Sequence, residues 1–361
     1  MKKILVIHAE QEKFTGRVIR WKNYELHFSV FGYEDFIQHR GTAEADFVIY
    51  KAPIAAVVDQ TEEGCDAVWG ESPELLLLQC ERARRGLRRV PFIINEQDRL
   101  RRVRLIAEWL EKNQGGNPLP DFLKREENFW FHMTKSQRQF YIDAGIPEDK
   151  LYHLSCSSYL LNFVSPDVLE YFREVASGEE RTAAEQAMAG KIVAAGSNNR
   201  DYDTLCAAAE NLGEEVHIIC DLARFERTGP KNVVWQNFMP IQQYIRILAG
   251  AKFVVVPLIS SEISGGENTT TFAMALGRAV ITTRVEATED FLTDGDNAIL
   301  APPYDAAALH EAMKKLLKAP QLAHNIGKRG YETEQHLSSV CEKNVTEVFA
   351  RATESTKTVT H

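Results

Sequence analysis

This 361-residue sequence predicts an α/β fold of two Rossmann-like, doubly wound domains facing across a cleft, and three observations carry that expectation. Short apolar runs alternate with helical patterns through the first half of the chain, and a second series of the same kind begins at Lys191 and ends near Glu332. The segment 252–284, KFVVVPLISSEISGGENTTTFAMALGRAVITTR, sets a glycine-bearing polar loop between a buried strand and the start of a helix. Strands alternating with helices imply parallel sheets with helices on both faces. In such sheets ligands bind beyond the carboxyl ends of the strands.

In the first half, KKILVIHA, ADFVIYKA, CDAVWG and VPFIIN read as strands, and SPELLLLQCERARRGLR and DRLRRVRLIAEWLEKN as helices. The polar stretch ASGEERTAAEQAMAG falls in a linker over 166–190, which separates a first domain (1–165) from a second (191–335). Residues 336–361 are expected to hold a helix that crosses back to the first domain, followed by a frayed tail. A hydrophobic content of 44% is enough for two cores in a chain of this length.

The charge balance narrows the function classes. With a formal net charge of −9, a general nucleic-acid-binding surface is not expected. The six cysteines are scattered, without a CxxC pair or zinc-ligand spacing, which points to a reduced, cytoplasmic protein. The opening MKKILVI stops being apolar at His8 and reads as a first strand, and no stretch approaches the ~20 apolar residues of a membrane span. The arginine-rich stretches ERARRGLRR and DRLRRVR are either a solvated face interspersed with Glu81, Asp98 and Glu108, or a peripheral contact for a membrane or an anionic lipid-linked acceptor. No GxGxxG follows any strand, which disfavours a dehydrogenase.

Within 252–284, the run Phe253 to Val256 ending in Pro257 reads as a fully buried parallel strand, and Thr270 to Leu276 as the following helix. Gly265 and Gly266 allow a ligand close to the backbone, and the free N–H groups and positive dipole end of the helix favour a phosphate. Asn268, Thr269 and Thr270 stand where they could cap that helix or donate to an anion. A tight turn without a ligand is the alternative reading of the glycines.

From Lys191 onward, KIVAAGSNNRDYDTLCAAAENL, VVWQNFMPIQQYIRILAGAKFVVVPL and FAMALGRAVITTRVEATEDFLTDGDNAILAPPYDAAALHEAMKKLL resemble the donor-binding half of retaining glycosyltransferases of the GT-B fold, the large family 4-like group also described as glycosyl transferases group 1. The resemblance covers roughly residues 191 to 335 well and the first half loosely, where NFWFHMTKSQRQFYIDAGIPEDKLYHL is similar to the group's strand, helix, Gly-Ile-Pro and strand. It implies transfer of a sugar from a nucleotide-diphosphate donor to an acceptor hydroxyl (glycan, lipid-linked or small molecule), in polysaccharide or glycoconjugate biosynthesis. Configuration would be retained, and no metal or other cofactor is implied.

The resemblance also distributes roles. Arg200 would neutralise charge developing on the leaving diphosphate, beside Gly196 and Ser197; pairing with Asp201 or Asp203 is its alternative. Ser197 stands where the group usually has the first of two cations, so one cation is missing or supplied elsewhere. Asn237, Phe238 and Met239 correspond to the nucleobase loop. The group's two glutamates, spaced by seven residues, touch the sugar and the ribose; here Phe272 occupies the second place and Ser264 the first, unless an insertion makes Glu262 its counterpart. Glu267 becomes the substitute for a sugar or ribose contact, with a solvated loop glutamate as its alternative.

On the acceptor side the candidates are His8 at the end of the first strand, Gly16 in EKFTGRVIRW, and Glu96 and Asp98 in FIINEQDRL, where relatives often carry a histidine. A sugar-nucleotide epimerase and a degenerate nucleotide-binding protein without transfer activity are the competing readings. Asp201-Tyr202-Asp203 is a literal Asp-x-Asp, but it opens a helix and no histidine cluster accompanies it.

Overall fold

The computed structural model describes residues 1–8, 18–30, 51–62, 64–70, 72–95, 100–154, 175, 189–259 and 265–355. The chain divides into two compact units, one of Met1–Leu154 with Lys343–His361 and the other of Ser155–Glu342. Each is built on one sheet, and each sheet is dominated by parallel strands.

In the first unit, the apolar runs read from the sequence become β1 (Lys2–His8), β4 (Ala67–Gly70), β5 (Phe92–Asn95), β6 (Asn128–His132) and β7 (Leu151–His153). Between β1 and β4 lies a hairpin that the sequence reading did not anticipate, β2 (Val18–Trp21) and β3 (Tyr24–Val30). Its turn is Lys22-Asn23, where Lys22 adopts a φ of 51°. No glycine announces that turn. The sheet order is β2-β3-β1-β4-β5-β6-β7, with only the β2/β3 pair antiparallel.

The helices of this unit are α1 (Lys51–Glu62), α2 (Ser72–Arg84), α3 (Arg101–Gln114), α4 (Leu119–Lys124) and α5 (Lys135–Asp143). The strand expected over ADFVIYKA is corrected at its end: Lys51 and Ala52 open α1, with Pro53 tolerated in the first turn, and the rest lies outside the described residues. Leu75, Leu76, Phe92, Ile94, Val103, Phe122 and Trp130 form the core between helices and sheet, all but excluded from solvent. The end of the final helix also belongs here. Phe349 packs edge-on against Trp21, Tyr24 and Trp69 at 5.2–5.5 Å, and Asn344 Nδ2 donates to the His153 carbonyl at 2.6 Å.

At the ends of β6 and β7 the rings of His132 and His153 lie 5.4 Å apart. Burial, and then the neighbouring His153, pull His132 down to about 4 from the ordinary 6.5. A histidine kept neutral when folded binds its proton more readily when unfolded. Stability is therefore full above about pH 6.5 and declines as the pH falls toward 4, by up to about 3 kcal/mol. Urea unfolding between pH 7 and pH 4 should show this loss, and His132→Gln should flatten it; an equally steep decline in the variant would assign the loss to other groups.

The second unit contains β8 (Ile192–Ala195), β9 (Val216–Cys220), β10 (Val233–Asn237), β11 (Phe253–Val256), β12 (Val280–Thr283) and β13 (Ile299–Ala301). All are parallel, in the order β10-β9-β8-β11-β12-β13. Between them run α6 (Tyr202–Ala209), α7 (Ile241–Gly250), α8 (Glu267–Ala275) and α9 (Glu286–Glu289), followed by α10 (Ala306–Lys318) and α11 (Pro320–Ser355). Strands β8, β9, β11 and β12 are buried along their whole length, as expected of a sheet covered on both faces.

Candidate functional site

Counted within the second unit, the strand order is 3-2-1-4-5-6, so the order reverses between β8 and β11. Chains leaving those two strands depart to opposite sides of the sheet, which opens a crevice between their loops. The glycine loop that follows β11 and the SNNR loop that follows β8 both emerge there.

The two loops are stitched together. Arg200 forms an antiparallel bridge with Leu258, the Asp201 amide donates to Pro257 O at 3.1 Å, and the Ile259 amide donates to Asn199 O at 3.3 Å. Arg200 is only 5% exposed. Its Nε donates to Ala195 O at 2.8 Å, Nη1 to Asn198 O at 2.6 Å and Nη2 to Thr269 Oγ1 at 3.3 Å. The Tyr244 hydroxyl donates to the same Thr269 oxygen at 3.0 Å. Burial raises the Tyr244 and Tyr202 phenols above their usual range, so both stay protonated as donors, Tyr202 toward Gly196 O at 2.6 Å. Among the described residues no ion pair joins Arg200 to a carboxylate, and its guanidinium brings five N–H donors to this point. Pairing with Asp201 does not occur. Asp201 instead caps α6, accepting from the Thr204 amide at 3.0 Å and its hydroxyl at 2.6 Å.

Glycine is required where these groups meet. Gly196 has φ 106°, and a Cβ there would lie 2.2 Å from Arg200 Nη2. Gly266, at φ 91°, is the N-cap residue of α8, and a Cβ on it would lie 2.8 Å from Leu258 Cδ2 and 3.0 Å from Val256 Cγ1. A Cβ on Gly265 would lie 2.8 Å from Asn199 Cβ. Helix α8 has no side-chain cap, so its first amides have no partner within the helix and its positive end faces this crowded point. Glu267 brings a carboxylate to the same end, accepting from the Gly265 amide at 3.0 Å.

Several residues singled out in the sequence are placed differently from one another. Thr269 and Thr270 are buried; the Thr269 hydroxyl is committed to Arg200 and Tyr244, and Thr270 turns into the core, while Asn268 is exposed. The Ser197 hydroxyl accepts from the Asp221 amide at 2.7 Å. Asn237 and Phe238 are exposed at the end of β10, and Met239 packs half-buried on the core. Phe272 is 8% exposed and belongs to that core. Ser264, Glu262, Gly16, Glu96 and Asp98 lie outside the described residues, and His8 ends β1 with its side chain outside them. Among the described residues no group of three or more metal-ligating side chains gathers, and no helix is long and apolar enough to cross a membrane.

Some residues at the site escaped the sequence reading, Arg224 among them. Arg224, in the short 3-10 turn after β9, donates from Nη1 to Asn198 Oδ1 at 2.7 Å, which puts a second, exposed guanidinium on the SNNR loop. Among the described residues it has no ion-pair partner. The signal that could have found it is the strand order, which makes the end of β9 a neighbour of the β8 loop.

Residues 184–319 match the sequence profile of a family described as "Glycosyl transferases group 1". No curated protein matches the sequence. Among solved structures, HepE from Anabaena, crystallised with UDP-glucose, is similar with a TM-score of 0.62 at 12% identity, over 97% of this chain and 100% of that one. Sucrose-phosphate synthase from Thermosynechococcus elongatus gives 0.60 at 15% identity, over 97% and 100%. A UDP-forming trehalose-phosphate synthase from Burkholderia xenovorans gives 0.62 at 12% identity, over 98% and 100%. At these identities the likeness establishes the fold.

Proposed function

We propose that this protein is a glycosyltransferase that moves a sugar from a nucleoside-diphosphate donor to an acceptor hydroxyl with retention of configuration, without a metal; the match of residues 184–319 to the group 1 glycosyl transferases and the GT-B fold of two Rossmann-like domains support the reading. The observation that carries the reading is the knot at the β8/β11 switch point. There, one buried guanidinium lies against Gly196 and Gly266 at the uncapped start of α8, and a second, exposed guanidinium holds the adjoining SNNR loop through Asn198.

Cleaving the sugar–phosphate bond moves negative charge onto the departing diphosphate. Arg200, Arg224 and the first amides of α8 are preorganised to take it up, which is where electrostatic catalysis acts most strongly. Glu267 sits beside the same helix start and is assigned to the sugar hydroxyls, exchanging its bond to the Gly265 amide for them. Exposed Phe238 at the end of β10 offers an apolar face for the base. The acceptor hydroxyl attacks from the face the diphosphate leaves, and belongs to a glycan, lipid-linked or small-molecule acceptor. The family match gives no support to the epimerase or the non-catalytic reading.

UDP is the first nucleotide to try, since HepE was crystallised with it and the compared trehalose-phosphate synthase forms it. A thermal-shift panel of UDP, GDP, ADP and their sugars tests the proposal. At about 100 times the dissociation constant the bound nucleotide adds about 2.7 kcal/mol, several degrees in melting temperature for a unit of this size. One nucleotide of the panel should give this shift, and its sugar should be slowly hydrolysed. A flat panel removes the donor site.

A further inference from the structure

We infer that Asp221 holds the ribose hydroxyls of the nucleotide, an assignment that rests on the donor reading above. The family's usual ribose contact comes from a glutamate at the position of Phe272, and here that side chain is packed in the core, so the diol needs another acceptor. The topology supplies one. In the dinucleotide-binding form of this strand order, an acidic residue about twenty residues past the turn after the first strand meets a ribose, and the same sheet order places the end of the second strand beside the first-strand loop here. The second strand is β9, and Asp221 follows its last residue, Cys220.

The local geometry fits that role. The Asp221 amide donates to Ser197 Oγ at 2.7 Å, which ties the end of β9 to the β8 loop that carries Arg200. Oδ1 accepts from the Ala223 amide at 3.1 Å and fixes the side chain at the head of the 3-10 turn. Oδ2 accepts no bond among the described residues. Neighbouring strands are about 4.8 Å apart. Phosphates at the β8/β11 junction, ribose at the end of β9 and base at Phe238 beyond β10 therefore follow the order of the groups in a nucleotide, one strand per step. Arg224, three residues on, holds Asn198 on the phosphate side of the same turn.

The test measures a ratio, using calorimetric titration of UDP, GDP and ADP and of their 2′-deoxy and 3′-deoxy counterparts. For the nucleotide it binds, the native protein should prefer the ribose form over at least one deoxy form by about tenfold, the size of a charge-assisted hydrogen bond. Asp221→Ala should reduce that preference to less than about twofold. Asp221→Asn retains the acceptor toward Ala223 and with it the melting temperature, and should narrow the ratio as well. An unchanged ratio in both variants, or no ribose preference in the native protein, overturns the assignment while leaving the donor site standing. If the native protein binds none of the nucleotides, the donor reading falls and this inference with it.

Discussion

Arg200→Ala is expected to lower kcat/KM for the donor by about a hundred- to a thousandfold, the loss typical when one preorganised donor to a developing anion is removed. The side chain also braces the site. Without it the carbonyls of Ala195 and Asn198 and the Thr269 hydroxyl lose a buried donor, which should cost about 1–3 kcal/mol in unfolding. Arg200→Lys separates the two effects, since an ammonium restores charge but cannot span three acceptors in the planar fork. It should recover part of the binding and little of the rate. Steady-state kinetics with the donor identified by thermal shift, together with urea titration of each variant, provides both readings. A kcat/KM within about threefold of the native value in Arg200→Ala would remove this residue from the site.

The second large effect is expected at the glycines. Gly196→Ala would put a methyl group 2.2 Å from Arg200 Nη2 and 2.7 Å from Cζ, so the guanidinium must leave its place. The donor's kcat/KM should fall by about a hundredfold, in line with Arg200→Ala, although the mutated residue carries no functional group. Gly266→Ala meets Leu258 and Val256, and should tilt the start of α8 with a comparable loss. Gly213→Ala and Gly277→Ala are the controls. Both positions also have positive φ, at 77° and 65°, yet a Cβ there meets nothing within 4 Å. They carry the conformational cost of about 1–2 kcal/mol and should leave kcat/KM unchanged. Equal losses at all four positions would mean that general destabilisation, rather than the crevice, governs the loss.

These expectations follow from features of unequal visibility in the sequence. The buried parallel strands were legible because runs such as FVVV and KIVAAG are apolar on both faces, and the glycine loop because it interrupts such a run before a helix. The β2/β3 hairpin was not legible. Its turn is Lys22-Asn23, and the strand VIRW carries an arginine that faces Glu25 across the ladder. The start of α1 was misread as the end of a strand because β-branched and aromatic residues run up to Lys51 without a break.

Within the site, sequence order explains what was missed. Arg200 and Gly265 are 65 residues apart yet belong to adjoining loops, which the resemblance anticipated. Arg224 and Asp221 follow a strand whose position beside β8 is a property of topology, so no local motif marks them. The buried fate of Thr270 and the double commitment of Thr269 depend on which face of α8 meets the core, since TTTFAMA is compatible with more than one helix rotation.

The central claim is that a nucleoside diphosphate is bound where the loops of β8 and β11 cross. A crystal structure with the nucleotide that raises the melting temperature most tests it directly. Diphosphate oxygens within about 3 Å of the first amides of α8 and of the Arg200 guanidinium are the predicted result. A nucleotide seated on any other part of the second unit, with Arg200 still turned to the Ala195 and Asn198 carbonyls and away from phosphate, would contradict it.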